Sequence, residues 1–295
     1  MSVQVLVWSL VSALFFAGTF IVIRLGRTQS NSLTILWVTL TVNVVALLIL
    51  LPLFGQFDLN KWWDWRFLVY AGVFAPLLGR LFQFIGMDRI GVNITTPITL
   101  THPLVSMLIA LAFLDSTVSS PQLMGAGLIL VGTLVVGWQS SSTKNDTISV
   151  KGRAIYIVFP ILASLAYGVS NVYRKVAIDL GTDPVTASTV LITTSWLCVS
   201  VYILASSRVS SIRATRKELA YFILAGVFST LGPIFYFIAL AEGSLIVVAP
   251  LASTTPIFVL IGSWFLTREV ELFNRAIILG TLVTVVGMMV MTSSI

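Results

Sequence analysis

The chain has 295 residues, of which 57% are hydrophobic and only 9% charged, and its mean hydropathy is +1.02. Soluble domains carry about 25% charged and about 45–50% apolar residues, so this composition excludes a soluble globular enzyme, a disordered chain and a disulfide scaffold. The formal charge of +6 comes from basic residues set singly between apolar runs. The positive-inside rule accounts for that pattern, and no nucleic-acid partner is expected.

A hydrocarbon core about 30 Å thick takes roughly 20 apolar residues per helix, so the length has space for about ten spans with short connections. The apolar runs predict them at 5–24, 33–54, 67–87, 92–114, 121–138, 154–174, 185–205, 219–240, 245–266 and 274–292. The first run, Val5 to Arg24, lacks a basic leader and a small-residue cleavage site, so it reads as a helix rather than a removed signal peptide. The second run carries Trp37 and Thr41. In the third, Arg80 is the one formal charge placed well inside a predicted span, with Gln83 a turn later on the same face. The fourth holds Pro97 and Pro103 and a polar stripe of Thr95, Thr99, His102 and Ser106 at helical spacing.

Gly125 and Gly132 lie in the fifth run, before the most polar linker, Gln139 to Arg153. Beyond it, Ser164, Tyr167, Asn171 and Lys175 share the sixth span, Thr193 and Trp196 the seventh, and Ser229, Pro233 and Tyr236 the eighth. The ninth has Pro250 and Pro256, and the tenth Gly280 and Gly287. Acidic residues fall between spans or at their ends, and Trp62, Trp63, Trp65, Trp138 and Trp264 sit near ends as interface anchors. Cys198 is the single cysteine, which forbids an internal disulfide. With one histidine and no cysteine pair, neither a metal site nor another cofactor is expected.

Splitting the chain at the polar linker exposes an internal repeat. Leu78-Gly79-Arg80-Leu81-Phe82-Gln83-Phe84 matches Leu231-Gly232-Pro233-Ile234-Phe235-Tyr236-Phe237, and Ala71-Gly72-Val73-Phe74 matches Ala225-Gly226-Val227-Phe228. Pro97 and Pro103 match Pro250 and Pro256 at the same interval, as Gly125 and Gly132 match Gly280 and Gly287. Each half then holds an odd number of spans, which turns the second copy upside down in the membrane. The expected fold is an all-α membrane protein of ten transmembrane helices as two inverted five-helix repeats, residues 1–140 and 152–295.

On these residues the chain resembles the drug/metabolite transporter superfamily, in its ten-helix EamA-type branch. The resemblance covers nearly the whole chain. It rests on the repeat, the Pro-x5-Pro pairs, an acidic residue soon after each (Asp115, Glu269), the Gly-x6-Gly of each fifth helix, and the first helix of each half. There, Phe16-Ala17-Gly18-Thr19-Phe20-Ile21-Val22-Ile23-Arg24 pairs with Tyr167-Gly168-Val169-Ser170-Asn171-Val172-Tyr173-Arg174-Lys175, with Phe16-Ala17 standing where the family commonly has Trp-Gly. The resemblance implies export or exchange of small polar metabolites by alternating access.

The expected function is secondary transport of a small polar metabolite such as an amino acid around a midplane cavity. A phosphorylated-metabolite or nucleotide-sugar exchanger is the alternative, and an intramembrane enzyme the contrasting class, for which no catalytic constellation is found. Arg80, Gln83, Thr99, His102, Tyr167, Asn171, Tyr236, Trp37 and Trp196 are the expected substrate-binding residues. An arginine at the bilayer centre costs about 2.5–3.5 kcal/mol on insertion scales, so Arg80 should face a cavity or a partner. Pro97, Pro103, Pro250 and Pro256 are expected kinks, because each removes a backbone donor. Gly125, Gly132, Gly280 and Gly287 should permit close helix approach. Loop charges favour termini outside the cell, whereas the resemblance points to cytoplasmic termini. Short loops suggest a multi-pass protein of the plasma (inner) membrane, working as a monomer with the lipid bilayer and a small-molecule substrate as partners.

Overall fold

The computed structural model describes residues 2–56, 62–90, 95, 98–114, 119–142, 154–207, 211–267 and 275–292, and no strand occurs among them. Pro97, Asp115 and Glu269 lie outside the described residues. Helix α1 (Val3–Gly26) starts where the Ser2 hydroxyl accepts from the Val5 amide, and α2 (Ser32–Phe54) where Asn31 accepts from that of Thr34 at 2.8 Å. These caps satisfy amides that have no partner in a first helical turn. Helix α3 (Arg66–Gly72) runs through a π-helical stretch, Val73–Leu78, into α4 (Gly79–Ile90). Pro76 supplies no amide there and Ala75 is extended, with φ −149° and ψ 129°, so the helix widens and bends at that point.

Next come α5 (His102–Phe113), α6 (Ser120–Ser142) and α7 (Val158–Asp179). Helix α8 (Pro184–Ala205) has Pro184 in its first turn and Asp183 as N-cap, accepting from Val185 and Thr186 at 3.0 Å each. Helix α9 (Arg216–Glu242) opens with a reciprocal capping box between Thr215 and Glu218. The last elements are α10 (Leu245–Ala252), α11 (Thr255–Thr267) and α12 (Arg275–Thr292). Among the described residues, eight helices are long and apolar enough to cross a membrane, with shorter apolar helices at His102–Phe113 and Arg275–Val290. Several are apolar all round. In α2, Leu36, Leu40 and Leu47 are buried while Val45, Leu48 and Ile49 are exposed, as lipid contact on the outer face requires.

The helices pack by exchange between the two halves of the chain. Helix α1 lies along α9: Phe15 and Trp8 stack on Phe235 with centroids 5.4 Å apart, and the Ser12 hydroxyl donates to the Gly232 carbonyl at 2.8 Å. Asn43 of α2 meets Ser229 and Thr230 of α9 at 2.8 and 3.2 Å. On the opposite flank, the Ser170 hydroxyl of α7 donates to the Ala71 carbonyl and that of Ser195 in α8 to the Gly72 carbonyl, both at 2.8 Å. The Tyr173 ring packs on Phe67, Tyr70 and Phe74.

Helices α2 and α8 meet through a reciprocal pair of bonds. The Trp37 indole donates to the Ser200 hydroxyl at 3.1 Å and the Trp196 indole to that of Thr41 at 3.0 Å. At the end of this layer, Glu218 gathers the connection between α1 and α2. One of its oxygens accepts from the Thr28, Gln29 and Ser30 amides at 2.8–3.0 Å and from the Thr28 hydroxyl, and the other accepts from Thr215.

Helices α6 and α12 cross at glycines. A Cβ on Gly287 would stand 2.8 Å from the Gly125 carbonyl oxygen, and one on Gly280 2.9 Å from that of Gly132. A Cβ on Gly132 would run into Thr284 and the Gly280 carbonyl. Without a hydrophobic force between helices in lipid, such close backbone approach is what holds them together.

Candidate functional site

The bend at Pro76 places Gly79 and Arg80 at the start of α4, fourteen residues into the span from Arg66, or about 21 Å along it. Gly79 has no side chain, so the Tyr167 ring of α7 rests against the helix backbone; a Cβ there would lie 3.0 Å from it. That approach sets the Tyr167 hydroxyl where it donates to Gln83 Oε1 at 3.1 Å, within the electrostatic reach of Arg80. Gly168 does the same for α5, since a Cβ there would meet the Val105 side chain and the His102 carbonyl. The His102 ring consequently stands 5.6 Å from the Tyr167 ring, with its Nδ1 buried and unpartnered.

Arg174 completes the group. It lies seven residues beyond Tyr167 on α7, two turns and about 10 Å along the same face. Its Cζ is 5.8 Å from the Tyr236 ring centroid and 6.0 Å from that of Phe237, both on α9. The Arg174 Nε and the Tyr236 hydroxyl are buried without a hydrogen-bond partner. Arg174 is within electrostatic range of Tyr236, Tyr167 and Arg80, and no carboxylate among the described residues acts on it. Arg80, Gln83, His102, Tyr167 and Arg174 are all half-buried, neither sealed in the core nor turned out to the surface.

Arg80 is therefore not the one charge inside a span. The sixth apolar run ends at Arg174, which puts that charge at the edge of the predicted span, but the helix continues to Asp179. Lys175 closes the end by pairing with Asp179 at 2.6 Å and donating to the Leu240 carbonyl at 3.0 Å. The seven-residue interval from Tyr167 was the signal that puts Arg174 on the face of the site, while the neighbouring lysine obscured it.

Of the residues expected to bind substrate, the structure brings Arg80, Gln83, His102 and Tyr167 together and joins Tyr236 to them through Arg174. Asn171 and Thr99 stand differently. The Asn171 amide donates to Ser106 Oγ at 3.1 Å, tying α7 to α5, and the Thr99 hydroxyl donates to the Thr95 carbonyl at 2.9 Å. Trp37 and Trp196 spend their indole donors on the α2–α8 interface.

Pro103 begins α5, Pro250 lies inside α10, and Pro256 begins α11. Ahead of Pro103, the Thr101 hydroxyl donates to the Ile98 carbonyl at 2.7 Å. Ahead of Pro256, the Thr254 hydroxyl donates to that of Leu251 at 2.8 Å, and Ser253 to that of Pro250 at 2.6 Å. Hydroxyls of the same segment thus satisfy carbonyls that the helix breaks release, as an apolar surrounding demands.

The model of the EamA-like transporter family matches residues 4–138 and again 154–293. The chain belongs to the EamA-like transporter family. It is thereby a multi-pass membrane protein of the drug/metabolite transporter superfamily, whose members move small molecules across a lipid bilayer. The fold of this EamA-like transporter is also that of a crystal structure described as "Crystal structure of protein". The two agree with a TM-score of 0.77 over 99% of this chain and 98% of that one, at 12% identity. No curated protein matches this sequence. Within the EamA-like transporter, the arginine–tyrosine group offers planar donors that suit carboxylate or phosphoryl oxygens.

Proposed function

We propose that this EamA-like transporter is a secondary carrier for a small, polar, anion-bearing metabolite, working by alternating access. The observation that carries this reading is the Arg80–Tyr167–Arg174 group, half-buried between membrane helices with no carboxylate of the described residues beside it. An unpaired arginine at that depth is unfavourable unless it serves a ligand or a path. An amino acid, with its carboxylate on Arg80, is the first substrate class to test. The second arginine favours, as a second reading, a phosphorylated metabolite or nucleotide sugar taken in exchange. The same group holds no acid–base or nucleophilic pair, so we read the protein as a carrier and not an intramembrane enzyme.

The ten-span architecture proposed here has two five-helix units, 1–140 and 152–295, of opposite orientation. Equivalent contacts support it. Gly79 faces the Tyr167 ring and Gly232 the Phe16 ring, and these are matched positions of the two halves. The Thr101 and Thr254 bonds repeat each other in the same way. Packing across the halves implies that the moving bodies are not the two units themselves. Helices α1, α2 and α9 form one body and α3, α4, α7 and α8 the other, in a monomer of the plasma (inner) membrane.

Counterflow in liposomes tests the reading. Protein loaded on one side with unlabelled amino acid should take up labelled amino acid in a saturable manner, and Arg80→Gln should abolish it. Uptake unchanged by Arg80→Gln would remove the binding role, and uptake that never saturates would remove the carrier.

A further inference from the structure

We propose that the site between α4, α7 and α9 takes its substrate as a dianion, with Arg80 and Arg174 each engaging one negative charge. This rests on the carrier reading and names the substrate class. The Tyr167 ring rests against Gly79, next to Arg80, and its hydroxyl bonds Gln83 one turn on. Arg174 follows two turns along the same face of α7, so both arginines act electrostatically on one hydroxyl from helices of opposite halves of the chain. The electrostatic neighbours of Arg174 are Tyr236, Tyr167 and Arg80, so the described residues supply two positive charges and no negative one. A single carboxylate would leave one arginine uncompensated in a low-dielectric site, which is strongly unfavourable. A ligand with two negative charges satisfies both.

The surroundings agree. The Arg174 Cζ lies 5.8 and 6.0 Å from the Tyr236 and Phe237 ring centroids, so aromatic faces rather than carboxylates stand beside its charge. The Arg174 Nε, the Tyr236 hydroxyl and the His102 Nδ1 are buried and unpartnered, and all three belong to this one group. A dicarboxylate or a phosphomonoester carries both the charge and the acceptor oxygens such a site requires.

Affinities of the purified full-length protein in non-ionic detergent, read from its thermal midpoint at constant ionic strength, decide the matter. Acetate, glycine, succinate and methyl phosphate serve as monoanion, zwitterion, dicarboxylate and phosphomonoester. At pH 7.5 at least one dianion should bind about tenfold more tightly than acetate or glycine, the gain expected of one added charge-assisted contact. The stronger dianion tells a carboxylate pair from a phosphoryl group, and methyl phosphate should weaken below pH about 6 as it loses its second charge.

Arg80→Gln and Arg174→Gln should each bring the preference to within about twofold. Arg174→Lys, which keeps the charge and guards against a variant that merely fails to fold, should retain it. Equal affinity for acetate and the dianions, or no stabilisation by either dianion, overturns the proposal. Saturable counterflow of an amino acid alongside either result would show that the carrier reading survives its loss.

Discussion

The Tyr167 hydroxyl donates to Gln83 within the electrostatic reach of Arg80, while its ring rests in the space left by Gly79. Tyr167→Phe removes that hydroxyl and keeps the ring. We expect about a tenfold loss of substrate affinity, the order of one hydrogen bond, with the thermal midpoint almost unchanged; titration against a bound substrate checks it. Glu218 is the opposite case. Its carboxylate ties the connection between α1 and α2 to the start of α9, about 27 Å along that helix from Tyr236 at 1.5 Å per residue. Glu218→Gln turns an amide nitrogen toward backbone donors, so the thermal midpoint should fall by several degrees while substrate affinity stays as in the parent. Arg80 and Tyr167 were legible in the chain from their spacing and polarity. Arg174 was not, because it ends the sixth apolar run beside a lysine, where hydropathy marks only the edge of a span.

At the scale of elements, the crossing of α6 and α12 depends on the absence of side chains. Gly132→Ala sets a methyl against Thr284 and the Gly280 carbonyl. Overpacking of this kind typically costs about 1–3 kcal/mol, so the variant should melt earlier in detergent while surviving molecules bind substrate normally. The α2–α8 interface makes a second prediction. Trp196→Phe deprives the Thr41 hydroxyl of its indole donor, a loss of about 1 kcal/mol, with no change in substrate selectivity if the indole serves packing. Selectivity that changes would return Trp196 to the site. The paired indoles could not be read from sequence, since a tryptophan in a span looks alike whether it meets a substrate or a serine. The glycines could be, because a residue without a side chain inside an apolar span permits close approach of a second helix.

For the molecule as a whole, the two bodies proposed from the packing of α1 on α9 and of α7 on α3 and α4 can be tested by cross-linking. In a Cys198→Ala background, bridging Phe15→Cys to Phe228→Cys with a short bifunctional thiol reagent joins helices of one proposed body, where the native rings lie 6.0 Å apart. Counterflow should persist. Bridging Trp37→Cys to Ser200→Cys joins the two bodies, and counterflow should stop until the bridge is cleaved. The reverse pattern would mean that the two chain halves move as units after all.

Membrane residence and the apolar character of the helices follow from composition and periodicity, because lipid imposes length and hydropathy on each helix separately. The family follows from the same pattern, which the matches over 4–138 and 154–293 establish. Partnership between helices does not. Lipid tails are as apolar as the helix faces, so hydropathy carries no information on which face meets which neighbour. The seating of Tyr167 against Gly79 and Gln83, the packing of α1 on α9 and of α7 on α3 and α4, and the pairing of Trp37 and Trp196 with hydroxyls required the packed bundle. Each depends on contacts between residues far apart in the chain, where a missing side chain at Gly79, Gly168 or Gly232 sets how near two backbones come.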